Sequence, residues 1–253
     1  MKETYIEIPA YDKDIKIHGT LRGTLNMPIA ILAPGLGGWM HDLQLFNASR
    51  YFENSGYSTL RLSFYGHEKN QRNISDYAVH DCAKDIDAVI DYLRQREVKF
   101  IAVVGHSYSG LGIIYSKKQQ FDTAILWDPT HTDGYEDPES QKNLERDFQY
   151  IESLKSYVSG EGPGYVLSKR VFEEYGPGSA IAAKKFRKPL LVINASDTDY
   201  QIKRGKDYVD NCPVQSKQVI IPNSSHPFTE DGAMEKLFEE TIEWMDKVRE
   251  KLE

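Results

Sequence analysis

Hydrophobic and polar residues recur along this chain with two different periods, and each period predicts one kind of element. Residues 5–8 and 15–21 alternate apolar and polar side chains around a polar turn, which predicts an antiparallel β-hairpin. Residues 28–33 form a continuous apolar run, as in a strand buried on both faces. Further strands are predicted at residues 59–64, 100–104, 123–127, 188–194 and 218–222, which are rich in apolar residues. Apolar residues three or four positions apart predict amphipathic helices at residues 42–54, 77–95 and 234–248.

The alternation of strands with helices predicts an α/β protein with a largely parallel sheet. It is interrupted once, at residues 131–187, where the sequence is polar and rich in glycine-containing turns, with helical spacing at residues 144–158. A chain of 253 residues suits one α/β domain carrying an insertion. We therefore predict a single domain, residues 1–253, with residues 131–187 inserted into it. The alternative is that this segment forms a second, small domain.

The most informative stretch runs from Phe100 to Ile114 and has Ser107 at its centre. An apolar strand leads into it and a helix follows, so the chain must turn sharply at the serine. Such a turn crowds the backbone, and small residues are needed on both sides. Gly105, Ser109 and Gly110 meet this need. The Ser107 hydroxyl is therefore expected to project from the turn, beside the N-terminus of the following helix.

A second turn, Pro34 to Met40, follows the predicted strand at residues 28–33 and contains three glycines. Enzymes that transfer acyl groups need two backbone N–H groups directed at an oxygen that becomes negatively charged. A glycine-rich turn at the end of a buried strand can supply one of them. The alternative is that this turn is an ordinary loop with no catalytic role.

These stretches resemble the α/β-hydrolases, and Gly105-His-Ser-Tyr-Ser109 resembles the nucleophile elbow of that superfamily. The run from Arg61 to His67 is similar to the Arg-Phe-Asp-x-x-Gly-His of hydrolases related to cinnamoyl esterases and serine aminopeptidases. The resemblance covers nearly the whole chain. It implies a mostly parallel eight-stranded sheet flanked by helices, with residues 131–187 as a cap between strands six and seven. Ser109 replaces the family's last glycine, and Pro34 replaces a histidine.

The same resemblance assigns roles to individual residues. It implies Ser107 as the nucleophile, His226, in the loop after the last predicted strand, as the base, and the N–H groups of Leu36 and Tyr108 as the oxyanion hole. It also implies an acid in the stretch from Ala195 to Ile202. Asp199 matches the family's spacing. Asp197 is the alternative if the register slips, and Asp128, after the sixth strand, is the third candidate.

The resemblance implies a serine hydrolase that cleaves carboxylic esters through an acyl-enzyme intermediate. Thioesterase, peptidase and acyltransferase chemistry would use the same residues, and a non-catalytic binding protein with this fold is a further alternative. Aromatic residues near the strand ends suggest an apolar substrate pocket; we expect them to be Trp39, Tyr65, Trp127 and Tyr200.

Composition narrows the possible partners. The chain has 31 Lys and Arg against 38 Asp and Glu, a net charge of −7, which argues against nucleic acid. The two cysteines lack metal or redox spacing, and no cofactor or metal is expected. No stretch is long and apolar enough for a membrane span, and the first residues lack a signal-peptide pattern, so we expect a cytoplasmic protein that acts on small-molecule esters. The sequence does not predict the oligomeric state.

Overall fold

A computed structural model describes residues 2–12, 14–130, 147–159, 166–174 and 179–253 of the protein. Its centre is an eight-stranded sheet. In chain order the strands of this sheet are β1 (Glu3–Pro9), β2 (Lys16–Arg22), β3 (Ile29–Ala33), β4 (Ser58–Ser63), β5 (Ile101–His106), β6 (Thr123–Trp127), β10 (Leu190–Ala195) and β11 (Ser216–Ile221). All eight coincide with strands predicted from the sequence.

The strands lie in the order β1-β2-β4-β3-β5-β6-β10-β11. The pairs β1–β2 and β2–β4 are antiparallel, and every other neighbouring pair is parallel. The mostly parallel sheet is thereby confirmed. Because the carboxyl ends of parallel strands meet at one edge, the loops after β3, β4, β5, β6, β10 and β11 gather there.

Helices cover both faces of the sheet. The longer ones are α1 (Leu43–Asn54), α2 (Val79–Arg94), α6 (Asp199–Asn211) and α7 (Ala233–Arg249), and the short α3 (Tyr108–Ile114) follows β5. Successive strand residues point to opposite faces, so Ile31 joins an apolar cluster with α2 and α3, while Leu32 joins one with α1 and α7. Two cores, one on each face, hold the strand ends in place. None of the helices in the described ranges has the length and apolar character needed to cross a bilayer.

The segment between β6 and β10 contains a separate three-stranded antiparallel sheet. Its elements are β7 (Phe148–Ile151), β8 (Ser156–Ser159), β9 (Val166–Ser168) and the short helices α4 (Arg170–Glu173) and α5 (Ser179–Ala183). Arg170 ties this segment to the main domain, because its guanidinium lies 2.9 Å from a carboxylate oxygen of Asp81 in α2. Of the predicted insertion, residues 131–146, 160–165 and 175–178 lie outside the described residues.

The helix expected from the spacing at residues 144–158 is wrong for the described part of that stretch, which forms β7 and β8. Apolar residues there have helical spacing, but the aromatic and β-branched residues Tyr150, Ile151, Tyr157 and Val158 favour strands. Tyr150 faces Tyr157 across the two strands, with ring centroids 5.1 Å apart. This cross-strand pairing outweighs the helical spacing.

Candidate active site

Ser107 lies at the turn between β5 and α3, and its backbone is strained. Its φ of 52° and ψ of −114° lie outside the regions that L residues favour. A Cβ atom on Gly105 would lie only 2.6 Å from Cδ1 of Ile113, and one on Gly110 only 2.9 Å from Cβ of Pro129. The turn therefore depends on these glycines. This is the strand-turn-helix geometry in which a serine hydroxyl is exposed at the edge of the sheet.

Ser109 occupies the position at which the hydrolase pattern has glycine, and its hydroxyl has a specific role. It is buried and donates a hydrogen bond to the carbonyl of Pro34, in the loop after β3. Strands β3 and β5 are neighbours in the sheet, so the two loops leave it side by side. The hydroxyl of Ser109 thus fastens the turn at Ser107 to the glycine-rich loop.

The loop after β3 packs against the turn at Ser107. A Cβ atom on Gly35 would lie 3.3 Å from Cβ of Ser107. Within the described residues, no hydrogen-bond acceptor is assigned to the N–H of the next residue, Leu36. Tyr108 begins α3, and the N–H groups of the first helical turn have no acceptor within the helix. The residues before Leu36 and Tyr108, namely Gly35 and Ser107, thus lie in contact, and the assignment of the two N–H groups to an oxyanion hole stays a prediction.

His226 lies in the loop between β11 and α7, and its ring contacts a buried carboxylate. Its Nδ1 lies 2.5 Å from Oδ2 of Asp128, the residue after β6. A carboxylate can only accept at this distance, so Nδ1 carries the proton and Nε2 is left as the basic nitrogen. The side chain of His226 is 38 % exposed, whereas that of Asp128 is fully buried. An accessible imidazole is therefore oriented by a carboxylate shielded from water.

Asp128 is itself held by the neighbouring strand. Its other oxygen, Oδ1, accepts a hydrogen bond of 3.0 Å from the side-chain amide of Asn194 in β10. The oxygen of that amide accepts one of 2.9 Å from Gln218 in β11. Since buried charges are costly unless they are hydrogen-bonded, this chain of polar contacts stabilises an ionised carboxylate below His226.

Residues 30–240 match the model of the alpha/beta hydrolase family. This match spans most of the chain and includes Ser107, Asp128 and His226. The chain belongs to the α/β hydrolase family. No curated protein matches it at a significant level.

Solved structures of similar fold cover nearly the whole chain of this α/β hydrolase. Est1E from Butyrivibrio proteoclasticus, in a structure with ferulic acid bound, is 19 % identical with a TM-score of 0.74, over 96 % of this chain and 98 % of the other. A thermophilic esterase from Thermogutta terrifontis is 17 % identical with a TM-score of 0.71, over 97 % and 99 %. A dienelactone hydrolase from Anabaena variabilis is 14 % identical with a TM-score of 0.68, over 97 % of each chain. At such low identity, these likenesses show a shared fold.

The acid predicted from sequence is not the carboxylate that contacts His226. Asp199 is the first residue of α6, and both it and Asp197 are exposed. The hydroxyl of Thr198 caps this helix by accepting the N–H of Gln201 at 3.3 Å, and the charge of Asp199 suits the helix N-terminus. The contact with His226 is made by Asp128, the third candidate. Strand β10 lies beside β11 in the sheet, but Asp199 is taken up into the first turn of α6 and its side chain is exposed. The prediction of Asp199, with Asp197 as its alternative, is therefore wrong in this structure.

His106, directly before Ser107, links the nucleophile turn to the His226 loop. Its Nε2–H donates to the carbonyl of His226 at 3.0 Å, and the two rings lie 4.6 Å apart between centroids. Burial, together with the nearby ring of His226, lowers the pKa of His106 to about 4. His106 is therefore neutral at pH 7 and acts as a hydrogen-bond donor. This hydrogen bond therefore ties the His226 loop to the residue directly before Ser107, the predicted nucleophile.

The hydroxyl of Ser107 has a partner other than His226. Its Oγ lies 3.2 Å from Oγ1 of Thr130, and no hydrogen bond between Ser107 and His226 is assigned within the described ranges. The N–H of Thr130 also donates to the carbonyl of Ser107 at 3.0 Å. The structure thus brings Ser107 and His226 to the same edge of the sheet, with the serine hydroxyl turned towards Thr130.

The four aromatic residues expected in a substrate pocket fall into two groups. Trp39 and Tyr65 line a cavity of about 440 Å³ beside the loop after β3. Trp127 is fully buried in the core, where its indole N–H donates to Thr241 at 3.0 Å. Tyr200 is 54 % exposed and its ring stacks on Arg204. The pocket predictions for Trp127 and Tyr200 are therefore wrong: the first points into the sheet core, and the second lies on the outer face of α6.

Sequence reasoning missed the polar residues that support the site, namely Thr130, Asn194 and the ring of His106. One signal was present, since Asn194 is a polar side chain at the end of an otherwise apolar strand. A buried polar residue at such a strand end needs a partner, and Asp128 directly follows the neighbouring strand, β6. Across the described ranges, no group of three or more His, Cys, Asp or Glu residues has the arrangement of a metal site.

Proposed function

We propose that this α/β hydrolase is a serine hydrolase that cleaves carboxylic esters through an acyl-enzyme intermediate. Ser107 is the nucleophile, His226 the general base and Asp128 the acid of the triad. The observation that carries the proposal is the hydrogen bond from Nδ1 of His226 to the buried carboxylate of Asp128. It leaves Nε2 available as a base on the side of the sheet where the strained turn exposes Ser107.

The reaction follows from the protonation states of these groups. In the first step Oγ of Ser107 attacks the ester carbonyl carbon while Nε2 of His226 takes its proton. Asp128 stabilises the imidazolium that results. The N–H groups of Leu36 and Tyr108 bind the oxyanion, and each such donor contributes about 3 kcal/mol to the transition state. His226 then gives its proton to the leaving alcohol, and water repeats the sequence to release the acid.

The three-stranded insertion supports an extension of this proposal. Residues 131–187 follow directly after Asp128, Pro129 and Thr130, so the segment begins at the edge of the site. In our proposal it caps the site and selects the substrate, together with the cavity lined by Trp39 and Tyr65. The ferulic acid in the Est1E structure supports including aromatic acyl esters among the substrates tested.

The test is covalent labelling with a fluorophosphonate probe, which reacts with activated serines. We expect stoichiometric labelling of the wild-type protein and none of Ser107→Ala. Ser109→Ala, which removes the second hydroxyl of the same turn, is the matched control and should still be labelled. Failure to label the wild-type protein would instead support a non-catalytic binding protein.

A panel of substrates then separates the chemistries that share this site. Aryl esters of increasing acyl length, including aromatic acids, are compared with the matching thioesters and anilides. Esterase activity predicts the highest kcat/KM for the esters. A preference for anilides or thioesters, or acyl transfer to an added alcohol in place of hydrolysis, would redirect the proposal to the peptidase, thioesterase or acyltransferase alternative.

A further inference from the structure

We infer that Tyr65 is a positioning residue that orients the oxyanion hole; this inference rests on the function proposed above. Tyr65 follows β4, the strand beside β3, so its side chain reaches the loop after β3. Its hydroxyl lies 2.6 Å from the backbone nitrogen of Gly37 and 3.2 Å from the carbonyl oxygen of Gly35. The hydroxyl accepts from the first group and donates to the second. The two contacts lie on either side of Leu36.

The contact with Gly35 acts on the N–H of Leu36 through one peptide unit. The carbonyl of Gly35 and the N–H of Leu36 belong to the same planar, trans peptide, in which C=O and N–H point in opposite directions. Fixing the carbonyl towards Tyr65 therefore directs the N–H away from Tyr65. Gly35 packs against Ser107, so the constrained peptide adjoins the nucleophile turn.

The loop needs such a constraint because its glycines permit other conformations. Gly37 has a φ of 84°, and glycine reaches both signs of φ at little cost. Rotation of the Gly35–Leu36 peptide would turn the N–H of Leu36 away from the oxyanion. The N–H of Gly38 donates to the Gly35 carbonyl at 3.0 Å, and Tyr65 adds a donor from outside the loop. Together they hold the peptide in one orientation.

Tyr65 is itself rigid enough for this role. Its side chain is buried, and its ring packs edge-on against Tyr77, with centroids 4.8 Å apart. A backbone bridge pairs it with Arg72. Tyr77 is the natural control, since it is also a buried tyrosine and its ring lies against that of Tyr65. It shares the packing of Tyr65 and has no assigned contact with the loop in the described structure.

The experiment compares Tyr65→Phe with Tyr77→Phe, each of which removes one hydroxyl. We expect Tyr65→Phe to lower kcat by about tenfold or more with KM nearly unchanged, a smaller loss than the roughly hundredfold to thousandfold caused by deleting an oxyanion donor. Tyr77→Phe should leave kcat within about twofold, since its hydroxyl does not support a transition-state contact.

Ketone inhibitors separate oxyanion binding from ordinary binding. A trifluoromethyl ketone adds to the serine and forms an oxyanion, whereas the matching methyl ketone serves as the comparison that adds far less readily. Tyr65→Phe should weaken the binding of the trifluoromethyl ketone by about the factor lost in kcat, and it should leave the binding of the methyl ketone unchanged. Amide hydrogen exchange of Gly37 should also become faster in Tyr65→Phe, and this readout does not depend on activity.

Each outcome has a distinct meaning. Unchanged kcat and ketone affinities in Tyr65→Phe, or equal losses for both ketones, would overturn the role of Tyr65 while leaving the proposed hydrolase intact. If Tyr77→Phe lost as much kcat as Tyr65→Phe, Tyr65 would be only a packing residue, and its proposed role in orienting the oxyanion hole would also be overturned. A wild-type protein that fluorophosphonate does not label would overturn the proposed function and the oxyanion role together.

Discussion

The hydroxyl of Ser107 lies 3.2 Å from the hydroxyl of Thr130, and the N–H of Thr130 binds the carbonyl of Ser107. The carbonyl of Thr130 in turn accepts a hydrogen bond of 2.6 Å from the hydroxyl of Tyr208. Thr130 is thus fixed from two sides while its side chain contacts Ser107, the proposed nucleophile. In the proposed mechanism Ser107 gives its proton to His226, so the hydroxyl of Ser107 cannot at the same time donate to Thr130.

Thr130→Val should make Ser107 more reactive. Valine keeps the shape of threonine and removes the competing hydroxyl, and a hydrogen bond of this kind contributes about 0.5–1.5 kcal/mol, so we expect a roughly twofold to tenfold faster reaction with fluorophosphonate. Thr130→Ser retains the hydroxyl and should behave like the wild-type protein. A slower reaction of Thr130→Val would mean that Thr130 assists the serine instead of competing for it.

Asp128→Asn should abolish most activity while leaving the fold intact. The amide cannot stabilise the imidazolium and favours the wrong tautomer of His226, and in a serine protease the equivalent change lowers kcat by about four orders of magnitude. Asp199→Asn is the matched control, because Asp199 is exposed at the start of α6, and its kcat should stay within about twofold of the wild-type value. Steady-state kinetics with one aryl ester give the kcat of both variants. Comparable losses in the two variants would contradict the assignment of Asp128.

Gly205→Ala should destabilise the protein, although alanine in a helix usually stabilises it by about 1 kcal/mol relative to glycine. A Cβ atom at Gly205 would lie only 1.7 Å from Oδ1 of Asn194, which would push the amide away from Asp128. We expect a loss of about 1–3 kcal/mol in the free energy of unfolding, typical of overpacking, together with a lower kcat.

Urea unfolding of Gly205→Ala is compared with that of Lys206→Ala, the next position in the same helix. The exposed Lys206 pairs with Asp210, and such a surface pair contributes about 0.3–0.5 kcal/mol. Lys206→Ala should therefore change stability little and leave kcat unaltered. Stabilisation by Gly205→Ala would show that Asn194 can move without cost.

His106 should make the protein less stable in acid. Its pKa in the folded protein is about 4, because of burial and the adjacent His226 ring, below the ordinary 6.5. The unfolded chain therefore binds more protons between these values, so the stabilisation is complete above about pH 6.5 and lost as pH falls to about 4. Protonation of His106 should lower the free energy of unfolding by up to about 3 kcal/mol.

His106→Gln keeps a donor near the position of Nε2 and removes the titration. The difference in unfolding free energy between wild type and His106→Gln should therefore shrink as pH falls from 7 to 4. Asp85, whose burial raises its pKa to about 7, has the opposite pH dependence, but it is present in both proteins and cancels in the difference. Parallel stability curves would show that His106 does not titrate in this window.

The sequence was sufficient for the strands, because runs such as residues 28–33 and 100–104 are apolar on both faces and admit few alternatives. It also brought out Ser107 and His226, since each stands in a loop after a predicted strand at a position that matches the α/β-hydrolase pattern. The sequence did not identify the carboxylate that contacts His226. Asp128 and Asp199 both follow buried strands, and the sheet order alone would favour Asp199, because β10 lies beside β11. Only the three-dimensional structure shows that Asp199 is exposed at the start of α6 while Asp128 contacts His226. The strands at residues 148–159 were missed because short strands and helices share apolar spacing.

The position of Asp128 has a practical consequence for protein engineering. Asp128 lies three residues before the start of the 131–187 segment. Thr130, whose hydroxyl contacts that of Ser107, lies immediately before the segment. A chimera that exchanges this segment to alter substrate preference would, with a junction placed too early, also replace the acid of the proposed triad. Junctions after Thr130 and before β10 keep the proposed triad of the host, so that any change in selectivity then belongs to the transplanted segment.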